Sequence, residues 1–390
     1  KVEIKNFSKN IQMIFDHCYK IEPEARLNVT KIKSIFNIEF NEFLCEDSFL
    51  LDKKAQIIQF IYESLIIQND VNDLFISLIN YFLLSLEDKE SKSNILFVIG
   101  SMYSKGIGVE QSFLKAKEYF ELSAQQNNPE ALNQLGTLYE NGNGVEQNYA
   151  KAKECFELSA QQNNSDGLNH LAYLYYHGLG VIQNYAKAIE YYEKSAKQNN
   201  PEALDNLGYI YKNGIGVEPD YIKAKGYYEL AAIQNNPYAL NNLGNLYRDG
   251  LGVEVNYTKA KEYYELAIKQ NNSFAFHNLG SLYEFGMGVE QSYDKAIKYY
   301  KLAAERKNTK ALNNLGYFYF HGIGVEQSYT KARKYYEISA TKKNSYSFLN
   351  LGIIYANGLG VEQSFSKAKE YYELSIKQNN SDALNNLGNL

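Results

Sequence analysis

The residues whose spacing most resembles a chemical device are paired glycines. Gly-x-Gly-Val occurs as Gly106-Ile107-Gly108-Val109, Gly142-Asn143-Gly144-Val145 and onward to Gly358-Leu359-Gly360-Val361, eight copies in all. Glycine-freed backbone N–H groups can cradle a phosphate, but a nucleotide loop follows a strand and opens a helix. These loops separate two helical patterns, and eight nucleotide sites in one chain make no chemical sense. The glycines read as structural. His170 and His177 stand seven residues apart, two turns along one helical face. No acidic or cysteine partner recurs to complete a ligand set, so surface histidines are the reading and no metal is expected. Cys18, Cys45 and Cys155 are an odd number without ligand spacing, which points to a reducing compartment. Cys155 takes the slot of Tyr191 and Tyr227 and reads as a buried small hydrophobe. No nucleophile–base pairing recurs in the array. Neither a catalytic residue nor a cofactor is expected there.

Composition narrows the class further. The chain has 390 residues, 45 acidic and 40 basic, for a net charge of −5. That balance offers no basic face to displace phosphate counterions, so nucleic acid is not the expected partner. Hydrophobic residues make up 45%, enough for a packed core. No uninterrupted apolar run approaches the roughly 18 residues of a membrane span. Residues 55–67 come nearest, but Gln56, Gln59 and Glu63 break the run into a core-helix pattern. A cytoplasmic location is the expectation. The Asn-x-Ser/Thr sequons, at Asn6, Asn28, Asn163, Asn256, Asn271 and Asn379, read as by-products of an Asn-rich chain. Starting at Lys1 and stopping at Leu390 in mid-pattern suits a piece of a longer protein, so a missing leader carries no weight.

The elements that position these residues follow from self-similarity. Leu-Gly recurs at Leu135-Gly136, Leu207-Gly208, Leu243-Gly244, Leu279-Gly280, Leu315-Gly316, Leu351-Gly352 and Leu387-Gly388. Ile99-Gly100 and Leu171-Ala172 fill the same register, and every step is 36 residues without insertion or deletion. Eight full repeats and the start of a ninth occupy residues 93–390, and residues 1–92 lie outside the pattern. Each repeat reads as helix, tight loop, helix. Asn128-Pro129-Glu130 is a helix start: an Asn cap, a Pro in the first turn and a carboxylate beside the positive helix end. Ala131, Leu132, Leu135, Leu138 and Tyr139 continue at helical spacing. Gly136 sits inside this helix, where Ala172 once replaces it, so smallness for close approach is the requirement. The loop glycines are never Ala. Gly142 and Gly250 read as left-handed helix caps and Gly144 and Gly252 as turn glycines, with the valine plugging the loop onto the core. In the second helix, Ala260, Tyr263 and Tyr264 should face inward while Lys259, Lys261 and Glu262 are solvated. The repeated Tyr139, Tyr175, Tyr211, Tyr247, Tyr283, Tyr319 and Tyr355 read as core ladders.

The motif Ala-Leu-x-x-Leu-Gly-x-x-Tyr-x-x-Gly-x-Gly-Val…Lys-Ala-x-x-Tyr-Tyr-x-x-Ala/Ser-Ala resembles the Sel-one-like repeat family, relatives of the tetratricopeptide repeat. The match covers residues 94–390 in nearly every slot. The resemblance implies an all-α, right-handed solenoid whose first helices line a concave face and which acts as a non-enzymatic adaptor for protein complexes. A luminal or secreted adaptor is a further reading, since some members of the family are of that kind.

Function should lie where repeats differ, because identical slots serve the common fold. The columns of Asn133, Thr137 and Glu140 vary most in the first helix and share one face away from the core. In the tetratricopeptide-like alignment they are groove-lining slots. The first column is mostly amide: Asn133, Asn169, Asp205, Asn241, His277, Asn313, Leu349 and Asn385. A ladder of amides can hydrogen-bond an extended peptide's backbone. The second and third columns supply Tyr173, Tyr209, Asn245 and Tyr317, and Tyr176, Lys212, Arg248 and Phe320. A protein or peptide partner is expected along this stripe through repeats three to seven.

Residues 1–92 read as helical pieces over 7–19, 29–36, 53–65 and 71–86. Residues 7–37 resemble the end of a protein kinase C-terminal lobe, with Cys18, Tyr19, Pro23, Arg26, Ile32 and Ile35 in matching slots. The resemblance implies that Arg26 pairs with a Glu upstream of Lys1 and that the intact protein is a kinase targeted by its repeats. Tyr19 stands where Trp is common and Leu27 where Pro is usual. No Gly-rich loop, H-R-D or D-F-G signature is present. The other reading of this segment is a helical cap on the first repeat.

Overall fold

A computed structural model describes residues 89–107 and 109–390. The expectations for residues 1–88, including the kinase-like stretch and Arg26, lie outside the described residues, as does Gly108. Among the described residues every regular element is an α-helix, and there are 17 of them.

First helices of the repeats are α1 (Lys89–Lys105), α3 (Pro129–Asn141), α5 (Ser165–His177), α7 (Pro201–Asn213), α9 (Pro237–Asp249), α11 (Ser273–Phe285), α13 (Thr309–His321) and α15 (Ser345–Asn357). The short α17 (Asp382–Gly388) starts a ninth repeat. Second helices are α2 (Phe113–Ala124), α4 (Tyr149–Gln161), α6 (Tyr185–Ala196), α8 (Tyr221–Ile233), α10 (Tyr257–Lys269), α12 (Tyr293–Glu305), α14 (Tyr329–Ala340) and α16 (Phe365–Ile376). The chain divides into two compact parts, one ending at Gln162 and one running from Asn163 to Leu390. Within each part a helix packs on its sequence neighbours, the α-solenoid arrangement in which contacts stay local.

Caps and turns set the helix limits. The Asn128 side chain accepts the Ala131 N–H at 2.8 Å, with Pro129 in the first turn. Second helices are capped likewise: Asn148 accepts from Lys151 N–H at 3.0 Å. Gly142 closes α3 at φ 70°, its N–H donating to Leu138 O, and Gly250 closes α9 at φ 68°. At the end of the second helices a non-glycine residue takes the left-handed conformation, Asn127 at φ 63° being the first and Lys307 and Lys343 the two exceptions to Asn. The recurrent Asn-Asn dipeptide is therefore two devices, a left-handed terminator followed by an N-cap.

The small slot of the first helix faces an aromatic ring. A Cβ on Gly208 would fall 2.5 Å from Tyr228 Cε1, and one on Gly244 2.5 Å from Tyr264 Cε1. Tyr228, Tyr264, Tyr300 and Tyr336 are among the largest fully buried side chains, and Phe120 and Phe156 lie on Gly100 and Gly136 in the first two repeats, so an aromatic ring on a small residue keys the array. The second loop glycine has a comparable contact. A Cβ on Gly252 would sit 2.7 Å from Tyr221 Cβ, and one on Gly144 2.6 Å from Phe113 Cβ, both in the preceding repeat.

Several placements differ from the sequence expectation. The Tyr139-to-Tyr355 ladder is core only in part: Tyr247, Tyr319 and Tyr355 are buried, whereas Tyr175 and Tyr211 are half-buried at the core's edge, stacked on Tyr191 and Tyr227 at 5.8 and 5.7 Å. Lys187 and Lys223 also stand 5.1 Å over the rings of Tyr175 and Tyr211. A phenol hydroxyl prefers this border, where the ring packs and the polar tip stays wet. Tyr263 follows the same rule, stacking on Tyr247 at 5.6 Å, while Ala260 and Tyr264 are fully buried. Lys261 is half-buried beside Glu265 at 3.3 Å rather than freely solvated. Cys155 is half-buried rather than fully buried; burial, then Glu154 and Glu121, push its thiol up to about 11.

Candidate functional site: a cleft across the first helices

Within the part from Asn163 onward, α5, α7, α9, α11 and α13 present one face to a cleft of about 860 Å³. It gathers Tyr173, Tyr176, Tyr209, Lys212, Asn241, Asn245, Arg248 and His277 from the expected stripe. Asn169 stands just behind the wall, where its Oδ1 accepts from Asn206 Nδ2 at 3.4 Å. Tyr317 and Phe320 do not join the cleft. Tyr317 packs on His321 at 4.3 Å and Phe320 on Tyr329 at 5.2 Å, toward the C-terminal end of α13, of which only the first turn reaches the cleft.

The sequence stripe also stopped one turn short. Tyr238 and Phe274, 55% and 49% exposed, line the cleft from the first turns of α9 and α11, with Lys310 from α13. Through repeats two to seven their column reads Glu130, Asp166, Glu202, Tyr238, Phe274 and Lys310, a change from acidic to aromatic to basic that was visible in the alignment of repeats. It precedes the amide column by three residues, so it shares the same helix face.

The amides are not a free ladder. Asn242 Nδ2 donates to Asp205 Oδ1 at 3.0 Å and Asn278 Nδ2 to Asn241 Oδ1 at 2.8 Å, each reaching back 37 residues. Asn278 Nδ2 also meets Asn245 Oδ1 at 3.1 Å, and Tyr264 Oη donates to that same oxygen at 2.8 Å. The expected backbone clamp is thus corrected on its acceptor side: these oxygens stitch one repeat to the next. No described hydrogen bond uses Nδ2 of Asn241 or Asn245, which leaves donors at the cleft.

Burial sets the electrostatics. It pushes the Asp205 carboxyl up to about 6 against the opposing hydrogen bond from Asn242, with Glu202 adding to the rise. It pushes the His277 imidazole down to about 4, with Lys310 and Arg248 adding to the fall and the Asn278 contact opposing it. His277 is therefore neutral at pH 7. Burial also lowers Lys212, which has no described ion pair. Arg248 is held charged by Asp249, which takes its Nε and Nη2 at 2.7 and 2.9 Å. Where Asn245 gives Tyr264 a partner, Tyr209 occupies the equivalent slot beside Tyr228, whose buried hydroxyl has none.

Among the described residues no cluster of His, Cys, Asp and Glu could hold a metal ion, and no helix is long and apolar enough to cross a membrane. No curated protein matches the chain. A solved Sel1 repeat protein from Oxalobacter formigenes is similar at 28% identity and a TM-score of 0.57, over 63% of this chain and 96% of that one. The antigen c5321 of uropathogenic Escherichia coli, described as protective and as displaying an SLR fold, is 24% identical with a TM-score of 0.50, over 86% of this chain and 82% of that one. The Sel1 repeat model matches residues 96–128, 129–164, 165–200, 201–236, 237–272, 274–308, 309–344 and 349–380. With its helix pairs, glycine keys and loop caps repeated through that whole span, the chain belongs to the Sel1 repeat family, a helical scaffold for protein interactions.

Proposed function

We propose that this protein is a non-enzymatic adaptor that holds a segment of a partner protein in the cleft across α5, α7, α9, α11 and α13. The observation that carries the reading is convergence. Variable residues from five repeats meet in one 860 Å³ depression, while the invariant slots are spent on packing. Tyr173, Tyr209, Tyr238 and Phe274 are large aromatic side chains left 38–55% exposed there. Aromatic residues and arginine are the groups that dominate protein interfaces once a partner excludes water. A protein segment fits better than nucleic acid, because cations beside Asp205 and Asp249 make no continuous phosphate-tracking face. A cytoplasmic setting belongs to the same reading, since a reducing compartment keeps an odd set of three cysteines as thiols.

The test places a photo-crosslinking phenylalanine analogue at Tyr209, at Tyr238 and, as the control, at exposed Glu262 on α10. Adducts to a common partner from the two cleft positions and none from the control are expected. Adducts from the α10 position alone would overturn the cleft as the docking face.

A further inference from the structure

The cleft's charge is out of character with the chain. The protein carries a net −5, yet the wall gathers Lys212, Arg248 and Lys310 against a single carboxylate, Asp205. Asp205 is already engaged by Asn242 at 3.0 Å. Arg248 spends Nε and Nη2 on Asp249 and retains Nη1. Lys212 is half-buried and feels Asp249 only from beyond ion-pair distance, and Lys310 likewise has no described ion pair. A half-buried ammonium with no anion in contact is an unfavourable arrangement that an incoming carboxylate relieves.

The cations also alternate with the aromatics. Along the chain Lys212 follows Tyr209, Arg248 follows Tyr238 and Lys310 follows Phe274. Between them Asn241 and Asn245 offer Nδ2 donors suited to backbone carbonyls. Resting on the docking reading above, we infer that the occupant is an extended, acidic peptide segment in which Asp or Glu side chains alternate with aromatic or other large apolar ones. Its carboxylates meet Lys212, Arg248 and Lys310, its apolar side chains lie on the exposed tyrosines and Phe274, and its carbonyls accept from the two asparagines.

The experiment pans random twelve-residue peptides displayed on phage against the full chain at low salt, and repeats the panning on Lys212→Gln/Lys310→Gln. Melting curves of both proteins establish that the variant is folded. Retained peptides rich in Asp and Glu with interspersed Phe, Tyr, Trp or Leu are expected. A synthetic copy of the best one should bind about tenfold more weakly to the double variant and lose affinity as salt rises. Its Glu→Gln version should bind as weakly to the wild type as the parent does to the variant. Peptides that are neutral or basic, yet lose affinity on Tyr209→Ala, would overturn the acidic preference and leave the cleft as the docking face. Acidic peptides retained equally by the double variant and by Tyr209→Ala, or no retained peptides at all, would overturn both.

Discussion

Asp205 occupies a slot that is Asn in most other repeats, and the substitution has a calculable consequence. Burial raises its carboxyl from 3.8 to about 6, so its contribution to stability is fully present below pH 3.8 and lost as pH rises through about 6. Asp205→Asn keeps the oxygen that accepts from Asn242 and removes the buried charge. It should stabilise the protein by up to about 3 kcal/mol at pH 8 and by nothing near pH 3.8, as read from melting curves across that window. A gain that does not vary with pH would show that charge burial is not its origin. His277 works in the opposite sense. Its pKa falls from 6.5 to about 4, so its contribution is present above pH 6.5 and lost as pH falls through about 4. Acid should therefore weaken Asp205→Asn more than the wild type over this range, because the variant retains the histidine's loss without the aspartate's gain.

At the scale of the element, each repeat is fixed by a loop with two glycines that do different work. Gly250 caps its helix within the repeat, whereas Gly252, at φ 69°, gives close approach to Tyr221 at the start of the previous repeat's second helix. Gly252→Val meets both penalties, left-handed strain on a β-branched residue and collision with Tyr221 Cβ. Contacts in the array are local, so the damage should be local as well. Hydrogen exchange should rise most in α8, α9 and α10, with α15 and α16 nearly unchanged. An equal rise in every repeat would contradict a quasi-one-dimensional fold.

For the molecule as a whole, local contacts predict graded rather than all-or-none behaviour. A chain ending at Asn308, which lacks α13 to α17, should keep nearly the same helical circular-dichroism signal per remaining residue and melt at a lower temperature. It keeps every cleft-lining residue except Lys310. Loss of most helical signal would mean that the final repeats hold the rest of the chain together. The same locality explains how the scaffold carries a binding face at all. Invariant side chains satisfy each neighbour-to-neighbour contact, which leaves one stripe per first helix free to vary.

Repeat number, helix limits, caps and the family were legible in the residues, because each is a local device repeated at a fixed interval: Asn128 as cap, Gly142 as left-handed stop, Gly208 as a slot too small for a side chain. Eight cleft residues were legible for a related reason, since helical periodicity puts variable columns on one face. The three-dimensional arrangement decided what periodicity does not encode. It showed which tyrosine of each pair is buried, because only packing places Tyr264 on Gly244 and leaves Tyr263 stacked at the border. It brought Tyr238, Phe274 and Lys310 to the cleft and left Tyr317 and Phe320 beyond it. It also committed the oxygens of Asp205 and Asn241 to amide donors 37 residues further along the chain. Those outcomes depend on how one repeat sits against the next, a relation between surfaces that no single repeat's sequence contains.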